Sequence, residues 1–379
     1  MLQSILVYGL LSLSLFVLGK NAEAREVYNN GLHQKTSFWT WETIVILFLF
    51  AFISGVRWNV GVDHQSYLRI YQDYITFGHS DRNLEWGFSI VTLLFAKLEI
   101  HFSIYFGFWA FLQIFFIYYA LKDERYLWPF IGVIIIMGSH YLSWMNGIRQ
   151  MLAACMFVYS IQFIRDRKII PYFLIILIAS LFHKSALFLI IFYFIPQKDY
   201  FKNRYINLVL CVLTLIIGLN PYWLQATSFI EIALSSLGYE GYADRLDVWI
   251  DLKREMSLGP RRISILLLNM IVIWFAPKLK VMFKNTNFLT YFNFMVIGVL
   301  LYNLFANAAH IFLRPVSYFT IFSAVTVSYL LYYLKTKAPK ELYILIFIIA
   351  ISYMVFSLIA ESAKGDMDTT NYKFFWDYV

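Results

Sequence analysis

Charge is what this chain has least of: only 14% of its 379 residues are Asp, Glu, Lys or Arg, against about a quarter in an ordinary soluble domain. With 60% hydrophobic residues and a mean hydropathy of +0.64, the polar surface is too small to cover a water-soluble body of this length. Cysteine is nearly missing as well. Cys155 and Cys211 both sit inside apolar runs, where they read as small hydrophobes, and the lack of any CxxC pair excludes a zinc or redox motif. Dense basic clusters are absent too. The formal charge of +8 is scattered over short loops, so no nucleic-acid partner is expected. Neither a fixed-period repeat nor a low-complexity tract occurs, and no loop is long enough for a separate soluble domain. Residues 1–379 are therefore expected to form one membrane domain.

What is present is a succession of long apolar runs. Backbone polar groups in hydrocarbon must be satisfied within a helix or a closed barrel, and continuous rather than alternating runs select helices. The spacing predicts spans near Leu2–Leu18, Ile44–Val56, Ile104–Leu121, Trp128–Leu142, Gly147–Ile164 and Ile169–Phe182. Further spans are expected near Ala186–Ile195, Tyr205–Leu219, Ile263–Phe275, Phe288–Phe305, Pro315–Leu334 and Leu342–Ala360. The fold class is thus an all-α polytopic integral membrane protein of about 12 transmembrane helices, several shorter than the ~20 residues of a straight crossing. The pair flanking His183 reads either as two tilted helices or as a re-entrant hairpin. Ala22-Glu23-Ala24 resembles a signal-peptidase site, but no positive charge precedes the apolar stretch, so the first span is expected to be retained.

Basic residues set the orientation. Lys20, Arg25 and Lys35, then Lys122 and Arg125, then Arg165, Arg167 and Lys168 fall in alternate connections. Lys198, Lys202 and Arg204, then Lys278, Lys280 and Lys284, then Lys335, Lys337 and Lys340 continue the series. That face carries the basic excess and is expected to be cytoplasmic. Trp39, Trp41, Trp58, Trp128 and Trp274 lie near span ends, as interface aromatics do. The outer side then holds three substantial segments: 57–101, with an amphipathic stretch from Glu85 to Leu98; the Tyr- and acid-rich loop 220–262; and the tail from Glu361.

A charged group within or at the buried end of a span costs roughly 2.5–3.5 kcal/mol on the lenient insertion scale, so such residues are the first candidates for function. Five groups stand out, all on the expected outer side. Arg57, Gly61, Asp63 and Tyr67 leave the second span, with Asp63 and Tyr67 on one face if the segment is helical. Glu85 opens an amphipathic stretch, where the helix dipole alone would favour it. Asn146, Arg149 and Gln150 share a face at the start of the fifth predicted span. His183-Lys184-Ser185 interrupts an apolar stretch. His310 and Arg314-Pro315-x-x-Tyr318 open the eleventh, where the dipole opposes a cation. Ordinary readings exist for each: a snorkelling arginine, a polar turn, a helix start. Together, Arg57, Arg149, Arg314 and Lys184 beside two carboxylates suit a ligand that is part lipid and part phosphate, because guanidinium binds phosphate in a planar, bidentate fashion.

Arg57-x-x-x-Gly61-x-Asp63-x-x-x-Tyr67, Glu85-x-Gly87-Phe88, Asn146-x-x-Arg149-Gln150-x-x-Ala153, Phe182-His183-Lys184-Ser185-Ala186 and Arg314-x-x-x-Tyr318 resemble the motifs of the EpsG/Wzy-like polysaccharide polymerases. Those are membrane glycosyltransferases of bacterial exopolysaccharide and O-antigen assembly. The resemblance implies a helical fold related to the GT-C glycosyltransferases, in the bacterial inner membrane, with the active site facing the periplasm or exterior. It implies transfer of a growing glycan from undecaprenyl diphosphate onto a lipid-linked repeat unit, without a cofactor. A chain-length co-polymerase is an expected partner beside the bilayer. In that reaction a base must take the proton of the attacking hydroxyl and cations must stabilise the departing diphosphate. Asp63 is the expected base, with Glu85 and His183 as reserves. Arg149 and Arg314 are the expected diphosphate ligands, helped by Arg57 and Lys184. Asn146, Gln150, Tyr67 and Tyr318 would orient sugar or phosphate. No metal is required, although Asp63 and Glu85 could hold one. A lipid-linked glycan ligase shares the donor and is the nearest rival. A flippase or transporter would be expected to show internal repeats and polar groups at mid-membrane.

Overall fold

A computed structural model describes residues 2–138, 140–220, 260–307, 310–362 and 371–378. Most of the expected outer loop 220–262 and much of the tail after Glu361 lie outside the described residues. The described chain is helical and contains no strand, only an isolated antiparallel bridge between Arg57 and Phe374.

Contacts divide the chain into two compact units, residues 1–197 with 327–379, and residues 198–326. The first unit holds α1 (Leu2–Gly31), α2 (Trp41–Gly55), α3 (His64–Phe77), α4 (Trp86–Lys97) and α5 (Phe102–Ala120). It continues through α6 (Trp128–Met137), α7 (His140–Asn146), α8 (Ile148–Arg165), α9 (Ile169–Phe182) and a 3-10 run over Lys184–Tyr193. The second unit holds α10 (Arg204–Leu219), α11 (Pro260–Met282), α12 (Phe288–Leu304) and the first half of α13 (His310–Lys337). The rest of α13 and α14 (Lys340–Ser362) belong to the first unit.

A helix underlies each predicted apolar run, yet the lengths differ. Four described helices are long and apolar enough to cross a membrane: Leu2–Gly31, Phe102–Ala120, Arg262–Met282 and Phe312–Lys337. A fifth crossing results if α6 and α7, bent by 60° at their junction, count as one broken span. Six further apolar helices have 10–17 residues, so helix length by itself supports four or five crossings rather than about twelve. The chain is a helical membrane protein, as its composition demands.

In the first unit α1 lies on α2 and α6, α2 on α5, α5 on α8, and α8 on α9. Helix α8 is buried almost all round, which its sequence permits: Ala153, Ala154 and Cys155 are small enough for neighbours to close in. Lipid supplies no hydrophobic drive between helices, so close packing of small residues and hydrogen bonds must hold them together. Short, partly polar α3 and α4 pair with each other, and α4 rests against α9. Segment 57–101, expected as an outer loop with one amphipathic stretch, is thus two helices that bring polar side chains onto the start of α8.

Candidate functional site

Glu85 stands at the N-cap of α4, outside the long spanning helices, and is almost completely buried. Arg149, in the first turn of α8, donates from Nη1 to its Oε2. The backbone N–H of Lys184, at the start of the 3-10 run, donates to its Oε1 over 3.3 Å. Nδ1 of His183 lies 3.3 Å from the same oxygen, an ion-pair distance at an angle too bent for a hydrogen bond. One carboxylate therefore ties together the starts of three helical segments. A cation in the first turn of a helix opposes the helix dipole, and an adjacent anion removes that conflict; Glu85 is the anion for Arg149.

Two glycines make this closeness possible. At Gly87 an added Cβ would sit 2.7 Å from Leu181 Cβ, so a side chain there would push α4 off the end of α9. At Gly61 the backbone is left-handed, φ +96°, and an added Cβ would lie 2.6 Å from Asn146 Oδ1. Phe88, to which the sequence reading gave no role, forms the floor: its ring is 5.3 Å from the Arg149 guanidinium and stacks on Trp109 at 5.1 Å. Buried Tyr67 meets the edge of Phe88, and its hydroxyl interacts with Arg149 and with the charge of Asp63. The short motifs thus pack pairwise, Gly61 on Asn146, Gly87 on Leu181 beside Phe182-His183, and Glu85 on Arg149.

Burial pushes the Glu85 carboxyl up, but the contact with His183 and the charge of Arg149 pull harder, and the group is held down at about 2. A carboxylate so firmly ionised is a weak proton acceptor, and its contacts hold Arg149 and the Lys184 turn in place. Asn146 Oδ1 is buried with no hydrogen-bond partner among the described residues. Leaving such an acceptor unmet costs about 1–3 kcal/mol.

The remaining candidates are placed differently. Asp63 is exposed at the N-cap of α3 without capping it through its side chain. The Lys184 side chain is exposed, and Gln150 is mostly buried one residue beyond Arg149. Arg57, expected among the diphosphate ligands, is fully buried, donating Nε to Val60 O at 3.1 Å and Nη1 to Ser54 O. Nε and Nη1 are thus taken up by the main chain, while the buried Nη2 has no hydrogen-bond partner among the described residues. Arg314, exposed, and Tyr318, fully buried, lie in the second unit. No group of three or more His, Cys, Asp or Glu suited to a metal occurs among the described residues.

At the opposite end of α2 from Arg57, the sequence reading missed a second polar network. Glu42, nearly fully buried, takes Arg25 Nε at 2.9 Å, and Glu124 accepts from Tyr329 at 2.6 Å. These pairs join α1 to α2 and the turn after α5 to α13, an architectural task.

Compared with known families, the chain matches the sequence model of the EpsG family over residues 39–374. No curated protein and no solved structure matches it.

Proposed function

This chain belongs to the EpsG family, a polysaccharide polymerase-type membrane protein, and from that premise we propose that it joins lipid-linked oligosaccharide repeat units into a polysaccharide. In this reading the donor glycan is carried on undecaprenyl diphosphate. The chain crosses the bacterial inner membrane about 12 times, several of the crossings by helices shorter than the ~20 residues of a straight span. The Glu85–Arg149 cluster faces the exterior, as the basic residues of the other face suggest.

The observation that carries this is the gathering of Arg149, His183 and the Lys184 N–H around Glu85, with Asn146 Oδ1 and Tyr67 beside it. In the reaction, an acceptor sugar hydroxyl attacks the anomeric carbon of the donor glycan. The bond from that carbon to the diphosphate oxygen breaks, and its electron pair leaves with the lipid diphosphate. The hydroxyl proton passes to Asp63, the exposed carboxylate of the group. Arg149, held in place by Glu85, and the exposed ammonium of Lys184 stabilise the charge developing on the leaving group. Asn146 and Gln150 orient sugar hydroxyls. Energy comes from the glycosyl–diphosphate bond, so the reaction needs no cofactor.

Cells carrying Asp63→Asn or Arg149→Ala in place of the native chain test this reading. Long polymer should disappear while single repeat units accumulate on the outer leaflet and the variant protein remains in the membrane. Repeat units trapped on the cytoplasmic leaflet would point to a flippase instead. Polymer of normal length lacking its final attachment would point to a ligase.

A further inference from the structure

The turn that carries Asp63 is built in part by the far end of the chain. Residues 57–63 belong to no helix, and two of them, Asn59 at φ +53° and Gly61 at φ +96°, are left-handed, a conformation glycine adopts freely and asparagine more readily than most residues. The turn they make is tied down by the segment around Tyr372. Trp58 N–H donates to Lys373 O at 2.8 Å and Phe375 N–H to Val56 O at 3.0 Å, framing the Arg57–Phe374 bridge. The hydroxyl of Tyr372 donates to Ile53 O at 2.7 Å, while its N–H donates to Ser4 Oγ at 2.7 Å. The ring of Phe375 rests on His101 and Phe102 at the start of α5, 4.9 and 5.4 Å away.

Arg57 is the link between this strap and the site. Its guanidinium sits within a cage of Tyr8, Tyr141, Tyr372 and the ring of Phe106, with no carboxylate among them. Its Nε bond to Val60 O folds the turn back on itself, and Gly61 O then accepts the first N–H of α3, from His64, at 3.1 Å. The same Gly61 abuts Asn146, three residues before Arg149. A continuous series of contacts therefore runs from the strap through Arg57 and Gly61 to Asp63, Tyr67 and Arg149.

We propose that Tyr372–Phe375 is a positioning element for the polymerisation site: by clamping the Arg57 turn it holds Asp63 and Tyr67 in register with the Glu85–Arg149 pair. This rests on the proposed function, and it goes beyond it in giving a positioning purpose to the Tyr372–Phe375 segment and to the buried Arg57. Misplacing a reacting group by an ångström costs up to about a hundredfold in rate, whereas the helices of the first unit pack on one another without the strap.

The test uses the full chain bearing Phe375→Pro, which deletes the donor to Val56 O, and a companion truncated after residue 370. Hydrogen exchange is read first. Exchange should rise across residues 57–67 in both variants, with the helices α5 and α8 and the melting temperature little changed. Unaltered exchange over 57–67 would overturn the proposal whatever the protein's activity, so a failure of the polymerase reading stays separate. Second, with the lipid-linked repeat unit as substrate, Phe375→Pro should lower kcat by between about tenfold and a hundredfold with KM nearly constant. Adding Trp58→Cys and Lys373→Cys, which face each other beside the bridge, should restore turnover when the pair is oxidised and lose it again on reduction. A loss of rate that follows only the unfolded fraction, or that the cross-link does not recover, would contradict a positioning role.

Discussion

Glu85 and Arg149 stand 64 residues apart in the chain, and their side chains close on each other where α4 and α8 begin. Each has a reason to be there alone, the carboxylate at a helix N-terminus and the arginine at a membrane boundary. Joined, they form a charge-neutral base from which His183 and Lys184 extend.

Glu85→Gln removes the anion and keeps the shape. The variant should be less stable by about 1–3 kcal/mol, the range for hydrogen bonds to charged groups and for partners left unmet. Thermal unfolding of the detergent-solubilised protein against wild type measures this. Polymer yield should fall with it, because Arg149 loses the group that aims it.

The pH dependence follows from the depressed carboxyl. Glu85 titrates near 2 in the folded protein against a usual 4.5. Its ionised form therefore stabilises the fold fully above about pH 4.5, and that increment is lost as pH falls toward 2. The stability gap between wild type and Glu85→Gln should be flat from pH 5 to 8 and should close between pH 4.5 and 2. Unfolding curves at stepped pH check this.

Gly61→Ala places a methyl in a left-handed backbone and 2.6 Å from Asn146 Oδ1. The strain should cost about 1–3 kcal/mol and move Asn146. Gly87→Ala should behave similarly through overpacking against Leu181, at about 1–3 kcal/mol. Both are read by melting temperature and by polymer length on gels.

Arg149→Lys keeps the charge and discards the planar fork. A point charge cannot hold Glu85 and a diphosphate in two directions at once, so polymerisation should fall by at least about tenfold, one bidentate contact being worth ~1.4 kcal/mol or more. Initial rates at saturating substrate are the measurement.

Much of the helical layout is legible in the sequence, because a helix facing lipid must be apolar along its length. Helix α9 occupies the expected Ile169–Phe182, and α10 begins one residue before its expected start at Tyr205. The reading fails where a helix is polar. Helix α1 continues past Leu18 through Ala22-Glu23-Ala24 to Gly31, since Arg25 finds Glu42 and needs no lipid. Helix α3, amphipathic rather than apolar, reads as loop although Leu68, Tyr71 and Tyr74 line its buried face. In the candidate site, residue types and motif spacing single out Glu85, Arg149 and His183, but spacing cannot reveal that the carboxylate is spent on the other two. Nor can it reveal that Arg57 lies inside, because the side chain that closes its cage, Tyr372, comes 315 positions later along the chain and so outside any local pattern.

The most direct measurement is chain extension by the purified protein in liposomes supplied only with oligosaccharide repeat units on undecaprenyl diphosphate. Wild type should produce a ladder of lengthening glycan and free undecaprenyl diphosphate in step with each bond made. Folded Arg149→Ala should leave the single unit unchanged. A ladder of equal length from Arg149→Ala, or extension that proceeds with Glu85, Arg149 and Asp63 all replaced, would contradict the assignment of this cluster to the reaction.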